Sequence, residues 1–450
     1  MRILVLVDGE HYPPVVRAAI ARLPGRLPGS TVIGAALLGG REKLTTAEPD
    51  FGVPLSTGAS PDEALVAGLA AHQPDLVFDL SDEPVLDSRT RLRLVARTLA
   101  AGVAYQGADF RFDPPARPRL STKATVAVIG TAKRTGKTAV SAHLARLLRA
   151  RGTPPVVVAM GRGGPAEPEL VDPAVFDLSV AGLVALADSG RHAASDHLEG
   201  AVMSGATTVG TRRCGGGLAG APADDTVAAG VEMANGRPER LMLLEGSGQC
   251  IPPVHADATV LVVPGQADPE LVTGYLGVYR ILLADLIVVT MAATSLAASG
   301  YRASFEGEIR RLVLGVSADR PRIVRVTLQP TPLAPIFGRR VIYATTAPAS
   351  ARAHLAAHLE HVHGAKVVGA SHNLANRPLL RADLEAAGDA EVVVVELKAA
   401  AIDVAARFAL ERGMDVVLCD NQVLTIGGDG PFDELGPQVA DLAARRFGAP

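Results

Sequence analysis

Val126-Ala-Val-Ile-Gly-Thr-Ala-Lys-Arg-Thr-Gly-Lys-Thr138 decides how this chain is read. An apolar run of strand character enters a polar loop bounded by glycines. The residues after it place Val140, Leu144, Leu147 and Leu148 on one face before Gly152. This order predicts strand, loop and helix, and in that order the loop is a phosphate cradle. Gly136 lets the main chain approach a phosphate, and successive N–H groups at the helix start point at the anion. Gly130, Thr131, Thr135, Gly136, Lys137, Thr138 and Ala139 are therefore the candidate nucleotide contacts. Lys137 would reach the β- and γ-phosphates and the Thr138 hydroxyl would hold Mg²⁺. The expected cofactors are ATP and Mg²⁺. Gly130 and Gly136 enclose five residues, where the common loop has four.

The 450 residues allow roughly two to four domains. A hydrophobic fraction of 48% with 20% charged residues suits a compact soluble protein, and a net charge of −3 supplies no general field for nucleic acid. Three cysteines, Cys214, Cys250 and Cys419, share no metal-ligand spacing, so a reducing cytoplasm is expected. No run of 18 apolar residues is present, so no membrane span is expected. A homodimer is entertained as the assembly.

The fold class expected is α/β: a central nucleotide-loop domain with a mostly parallel sheet, flanked by two further α/β domains. Strand and helix alternate from residues 2–7 up to the proline-rich linker Phe112–Arg119, giving a first domain over 1–118. The second, over 119–335, has strands at 125–129, 155–160, 240–245, 258–263 and 286–290 and ends at the proline cluster 329–335. The third, over 336–450, has strands at 340–344, 366–369, 391–396 and 415–419.

Phosphate chemistry needs a carboxylate to orient Mg²⁺. Arg240-Leu-Met-Leu-Leu-Glu-Gly-Ser-Gly248 offers Glu245 at a strand end, where open α/β sheets bind ligands. Arg162 lies between glycines after the strand Pro155–Ala159, so its planar guanidinium could lie against phosphate oxygens. Ser204–Leu218 combines threonines, adjacent arginines and a triple glycine without hydrophobic period. It reads as a segment that packs no core and wraps an anion, with Thr207, Thr208, Thr211, Arg212, Arg213 and Gly215 as substrate contacts. Lys133 and Arg134 add positive charge, so the second substrate is expected to be as anionic as the nucleotide. Lys137, Lys133, Arg162 and Glu245 are the candidate catalytic residues. Thr290–Ala292 is placed near the adenine by topology, and Asp420–Gly430 reads as a loop that could face a ligand. His11 with Asp8 and Glu10, and His361 with His363, are weaker candidates, and the acids 79–83 suggest a domain interface.

The nucleotide loop resembles that of dethiobiotin synthetase, and Leu244-Glu-Gly-Ser-Gly248 resembles that family's metal-binding turn. Over the whole chain the pattern is closer to the cyclic 2,3-diphosphoglycerate synthetase family, through Asp8-Gly-Glu-His-Tyr-Pro-Pro14, the loop itself and Met160-Gly-Arg-Gly-Gly-Pro165. The resemblance implies ATP-driven closure of a phosphoanhydride between the two phosphates of 2,3-bisphosphoglycerate, releasing ADP and phosphate. Two other classes compete. One is another ATP-dependent ligase or small-molecule kinase built on the same domain. The other is a nucleotide-switched ATPase, whose signature lysine would fall five positions before Lys137, where Ala132 stands.

Overall fold

The computed structural model describes residues 1–44, 46, 49–292, 306–311 and 321–448. They form two compact units. The first comprises Met1–Ala116 with Ala267–Leu283 and the described part of 300–321; the second comprises Arg117–Gln266 and the described parts of 284–299 and 322–450.

In the first unit the strands lie in the order Leu55–Thr57, Thr31–Leu37, Arg2–Val7, Leu76–Asp79, Ala104–Gln106 and Arg111–Phe112, all parallel except the last pair. Thr31–Leu37 is absent from the sequence-based expectation. Its Gly34-Ala-Ala carries little β propensity, and the His72 ring packs where a Gly34 Cβ would stand, 2.5 Å from its Nε2. Asp79, expected at a domain interface, is buried and serves its own unit: its carboxylate accepts from Ser81 N (2.8 Å), Arg91 Nε (2.9 Å) and the Tyr105 hydroxyl (2.8 Å). Asp8 likewise accepts from His11 Nδ1 at 2.9 Å and from the amide of Asp82 at 2.7 Å.

The second unit is built on one long sheet. Its order is Asp224–Asp225, Thr208–Cys214, Pro155–Gly161, Leu241–Glu245, Ala124–Gly130, Ala258–Pro264, Leu286–Thr290, Arg322–Pro332, Asp415–Gly428, Val392–Glu396, Arg340–Ala344 and Lys366–Ser371, with Glu169–Val171 also paired to Thr208–Cys214. Pairing is parallel from Thr208–Cys214 to Arg322–Pro332 and again from Asp415–Gly428 to Lys366–Ser371. Between these halves, Arg322–Pro332 and Asp415–Gly428 pair antiparallel. The segments 119–335 and 336–450 therefore share a sheet.

Two sequence-based loops are corrected here. Thr208–Cys214 is a strand, and Asp420–Gly428 continues the strand that begins at Asp415. The proline cluster at 329–335 partly belongs to the partner of the latter, with Pro330 opposite Asn421. Polar, glycine-rich composition conceals a strand whose main chain is satisfied by neighbours rather than by an apolar face.

Core packing folds the two halves together. Leu183, Leu198, Ala201 and Met203, from the helices Val180–Asp188 and Asp196–Ser204, share one buried cluster with Ile342, Val393, Val395, Ile402 and Val404. Each fully buried aliphatic side chain contributes about 1.5–3 kcal/mol. These helices thus lie between the nucleotide-loop half and the C-terminal half, which turns strand ends of the latter towards the loop.

Candidate active site

Every residue of Ala124–Gly130 is buried, and the chain leaves the sheet directly into the loop. The helix Lys137–Ala150 starts at Gly136, whose φ of 87° is open to glycine without a Cβ penalty. No side chain caps this helix, so its first N–H groups stay available to an anion. Gly130 is required by the lysine stem, because a Cβ there would lie 2.8 Å from Lys137 Cδ. Lys137 Nζ donates to the Ala132 carbonyl at 2.9 Å and to Thr135 Oγ1 at 3.4 Å. Burial lowers its pKa to about 8, against the pull of Glu245 and Asp196. The Thr290 hydroxyl donates to the Thr135 carbonyl at 2.6 Å and pins the loop to the strand Leu286–Thr290.

Glu245 ends its strand only 3% exposed. Burial pushes its carboxyl up to about 7, while the hydroxyl of Thr138, hydrogen-bonded to it, pulls it back. Its Oε2 has no hydrogen-bond partner. An orphaned carboxylate oxygen beside a threonine hydroxyl and a phosphate loop is a donor set that fits Mg²⁺, which takes one or two carboxylates and completes its shell with phosphates and water. His361 and His363 gather no such set: among the described residues no group of three or more His, Cys, Asp or Glu could hold a metal.

A cavity of about 310 Å³ opens over these groups. One wall is Lys133–Thr138; a second is Arg162, Gly163 and Glu245–Gly248; a third runs from His192 to Glu199; the fourth is Thr346, Ala375, Lys398 and Ala399. Gly164 is required where the second wall crosses the neighbouring strand, since a Cβ would lie 2.1 Å from the Thr211 carbonyl oxygen. Burial and the neighbouring charges of Arg162, Arg213 and Arg134 lower the Lys133 pKa, with Asp196 opposing.

The anion-wrapping segment expected over Ser204–Leu218 is overturned as a loop. Thr208 and Thr211 are buried in the strand, and their hydroxyls donate to the carbonyls of Ala206 and Ala159, each at 3.0 Å. Thr207, Thr208, Thr211, Arg212 and Gly215 are not among the cavity-lining residues. Arg212 is exposed. Arg213 is buried instead: Nη2 donates to the Ser247 carbonyl at 2.8 Å and Nη1 to the Gly215 carbonyl at 2.6 Å, bracing the turn after Glu245. A Cβ at Gly248 would lie 3.0 Å from Arg162 Nη2 and 3.2 Å from Arg213 Nη2, so both guanidinium groups converge on this turn.

Asp196, Glu199, His192, Thr346 and Lys398 are cavity residues that sequence reasoning missed. Asp196 and Glu199 read simply as the acidic first turn of a helix. Lys398 follows the strand Val392–Glu396, and the strand-end rule that located Glu245 would have found it. Its Nζ stands 3.1 Å from Glu199 Oε1.

Family comparisons follow this architecture. Residues 2–113, 125–317 and 332–422 match the N-terminal, P-loop and C-terminal domain models of cyclic 2,3-diphosphoglycerate synthetase. The synthetase of that name from Rubrobacter xylanophilus is 45% identical over 430 residues, covering 96% of both chains. Those of Thermococcus kodakarensis and Methanothermobacter thermautotrophicus are 42% and 40% identical, over 99% and 98% of this chain and 99% and 96% of their own. The chain belongs to the cyclic 2,3-diphosphoglycerate synthetase family. Set against the family's P-loop and C-terminal domains, the first three walls of the cavity come from the former and the fourth from the latter. No helix among the described residues is long and apolar enough to cross a membrane.

Proposed function

We propose that this chain closes 2,3-bisphosphoglycerate into cyclic 2,3-diphosphoglycerate, consuming ATP and releasing ADP and phosphate. The observation that carries this reading is a single cavity joining a phosphate loop and its carboxylate to further cations, Arg162 and Lys398, on separate walls. Two phosphates on adjacent carbons repel one another, and a phosphate oxygen leaves poorly. Ring closure therefore demands both charge neutralisation and activation.

Lys137 and the uncapped helix start bind the nucleotide phosphates. Thr138 and Glu245 would hold Mg²⁺, which when bound neutralises phosphate charge. Transfer of the γ-phosphoryl group to one substrate phosphate makes a phosphoanhydride. An oxygen of the other substrate phosphate then attacks the activated phosphorus in line and inorganic phosphate departs. Lys133 and Arg162 stabilise the charge that moves, and no side chain acts as a nucleophile. Arg213 supports the reaction by holding the Glu245–Gly248 turn. Thr290–Ala292, beside the loop, is our placement for the adenine.

Incubation with ATP, Mg²⁺ and 2,3-bisphosphoglycerate tests this reading by phosphorus NMR. The expected product has two mutually coupled phosphorus nuclei, with free phosphate released. A product that keeps a third phosphoryl group would make the enzyme a kinase, and ATP hydrolysis indifferent to any phosphorylated acid would favour a nucleotide switch.

A further inference from the structure

The fourth wall of the cavity contains an expensive arrangement that packing does not require. Glu396, 4% exposed, is held by four donors: the Thr345 hydroxyl at 2.8 Å and Asn421 Nδ2 at 3.0 Å on Oε1, and the Thr346 amide and hydroxyl, both at 2.8 Å, on Oε2. Two residues on, Lys398 reaches into the cavity and meets Glu199. Burial disfavours its charge, yet the carboxylates of Glu199 and Glu396 hold its pKa well above the ordinary lysine value. Ala399, which also lines the cavity, takes a φ of 50°, a left-handed conformation rare for a residue with a Cβ. Such outliers persist where surrounding structure enforces them, and they gather at functional sites.

A lock between the two halves of the sheet would need none of this. The buried aliphatic cluster already joins them, and apolar residues usually serve as well as a buried ion pair. The pair instead borders the space where the substrate must lie.

We propose that Lys398 binds the substrate phosphate whose oxygen attacks to close the ring, and that Glu199 is its resting partner, released when that phosphate arrives. The assignment rests on the cyclase reading of this cavity. The chemistry needs two separately held phosphates. One receives the γ-phosphoryl group near Lys137. The other must be kept apart during that transfer and then brought to attack, forming a new P–O bond as the bond to the departing inorganic phosphate breaks. An ammonium on a flexible stem can follow a phosphate through that approach, which a rigid guanidinium fork cannot do as readily. Glu199 neutralises the lysine between turnovers.

The full-length enzyme with Lys398→Met tests this. The acceptor KM should rise roughly 10- to 100-fold, as for loss of a charge-assisted phosphate contact, while the Kd of a fluorescent ATP analogue stays within about threefold. Lys398→Arg should recover part of the loss. Because Lys398→Met leaves Glu199 without its partner, the double variant Lys398→Met/Glu199→Gln is the control for folding: its melting temperature should return towards wild type while the acceptor defect persists. An unchanged acceptor KM, an equal loss for both ligands, or recovery of acceptor binding in the double variant overturns the assignment while leaving the cyclase reading intact. Absence of a cyclic product from the wild-type enzyme overturns both.

Discussion

Gly130–Thr138 and Thr207–Gly217 draw on much the same inventory of glycine, threonine and cationic side chains, and their main chains take different courses. The first leaves the sheet after Gly130 and enters a helix whose first amides have no internal partner. The second stays in the sheet from Thr208 to Cys214, with parallel pairing to Pro155–Gly161 and antiparallel pairing to Glu169–Val171. Its amides are claimed by neighbours and its buried hydroxyls by carbonyls. Free main-chain donors, rather than the presence of arginine and glycine, separate an anion cradle from a strand.

The sharpest attack on that contrast is Lys137→Ala. It should reduce ATP-dependent turnover on the order of 10²-fold or more, as for other preorganised phosphate contacts, with an unchanged circular dichroism spectrum. An active variant would remove the loop from the mechanism.

Next, the adjacent arginines of the second segment should part company. Arg213→Ala removes the donors to the Ser247 carbonyl, in the turn beside Glu245, and to the Gly215 carbonyl, and is expected to destabilise the protein by about 1–3 kcal/mol and to slow turnover. Exposed Arg212→Ala should change stability by no more than about 0.5 kcal/mol and turnover by no more than about twofold. Denaturant titration and steady-state rates on both variants check the split; equal effects would restore the wrapping segment.

Thr211→Val keeps the shape and deletes the hydroxyl bonded to Ala159. Stability should fall by about 1 kcal/mol while the acceptor KM holds steady. A rise in KM alone would put Thr211 in the substrate site.

The smallest effect concerns Glu169, opposite Gly210 in the second segment. The nearby His197 and then Arg191 lower its pKa to about 2 from 4.5, against its partial burial. Because the folded value is the lower one, this carboxylate contributes stability that is fully present above about pH 4.5 and is lost as pH falls towards 2. Thermal melts of Glu169→Gln should therefore lie below wild type above pH 5 and converge with it near pH 2. A constant offset across that range would show that the bond, not the charge, matters.

Much of this site could be read without coordinates because its parts are contiguous. Strand, loop and helix around Lys137 lie within one stretch, and Glu245 was found by the rule that ligands gather at the carboxyl ends of parallel strands. Arg162 is legible from its flanking glycines, which let its planar guanidinium lie against phosphate oxygens. The third and fourth walls were not legible. Asp196 and Glu199 look like any acidic helix start, and Lys398 is a lone lysine after a valine strand. Strands that are apolar runs are legible in the sequence, whereas Thr31–Leu37, Thr208–Cys214, Arg322–Pro332 and residues 420–428 are not, because glycine, proline and polar residues interrupt them.

By itself, then, the sequence determined an α/β chain with a phosphate loop at Gly130–Thr138 and a carboxylate at Glu245, because local periodicity and fixed spacing suffice to build both. Only the tertiary structure decided that Arg322–Pro332 and Asp415–Gly428 join two half-sheets and that Lys398 meets Glu199. It also decided that Arg213 faces inward while Arg212 faces solvent. Those outcomes depend on which main-chain groups find partners far along the chain and on which apolar faces pack across the helices between the halves, and neither is encoded in any short window of residues.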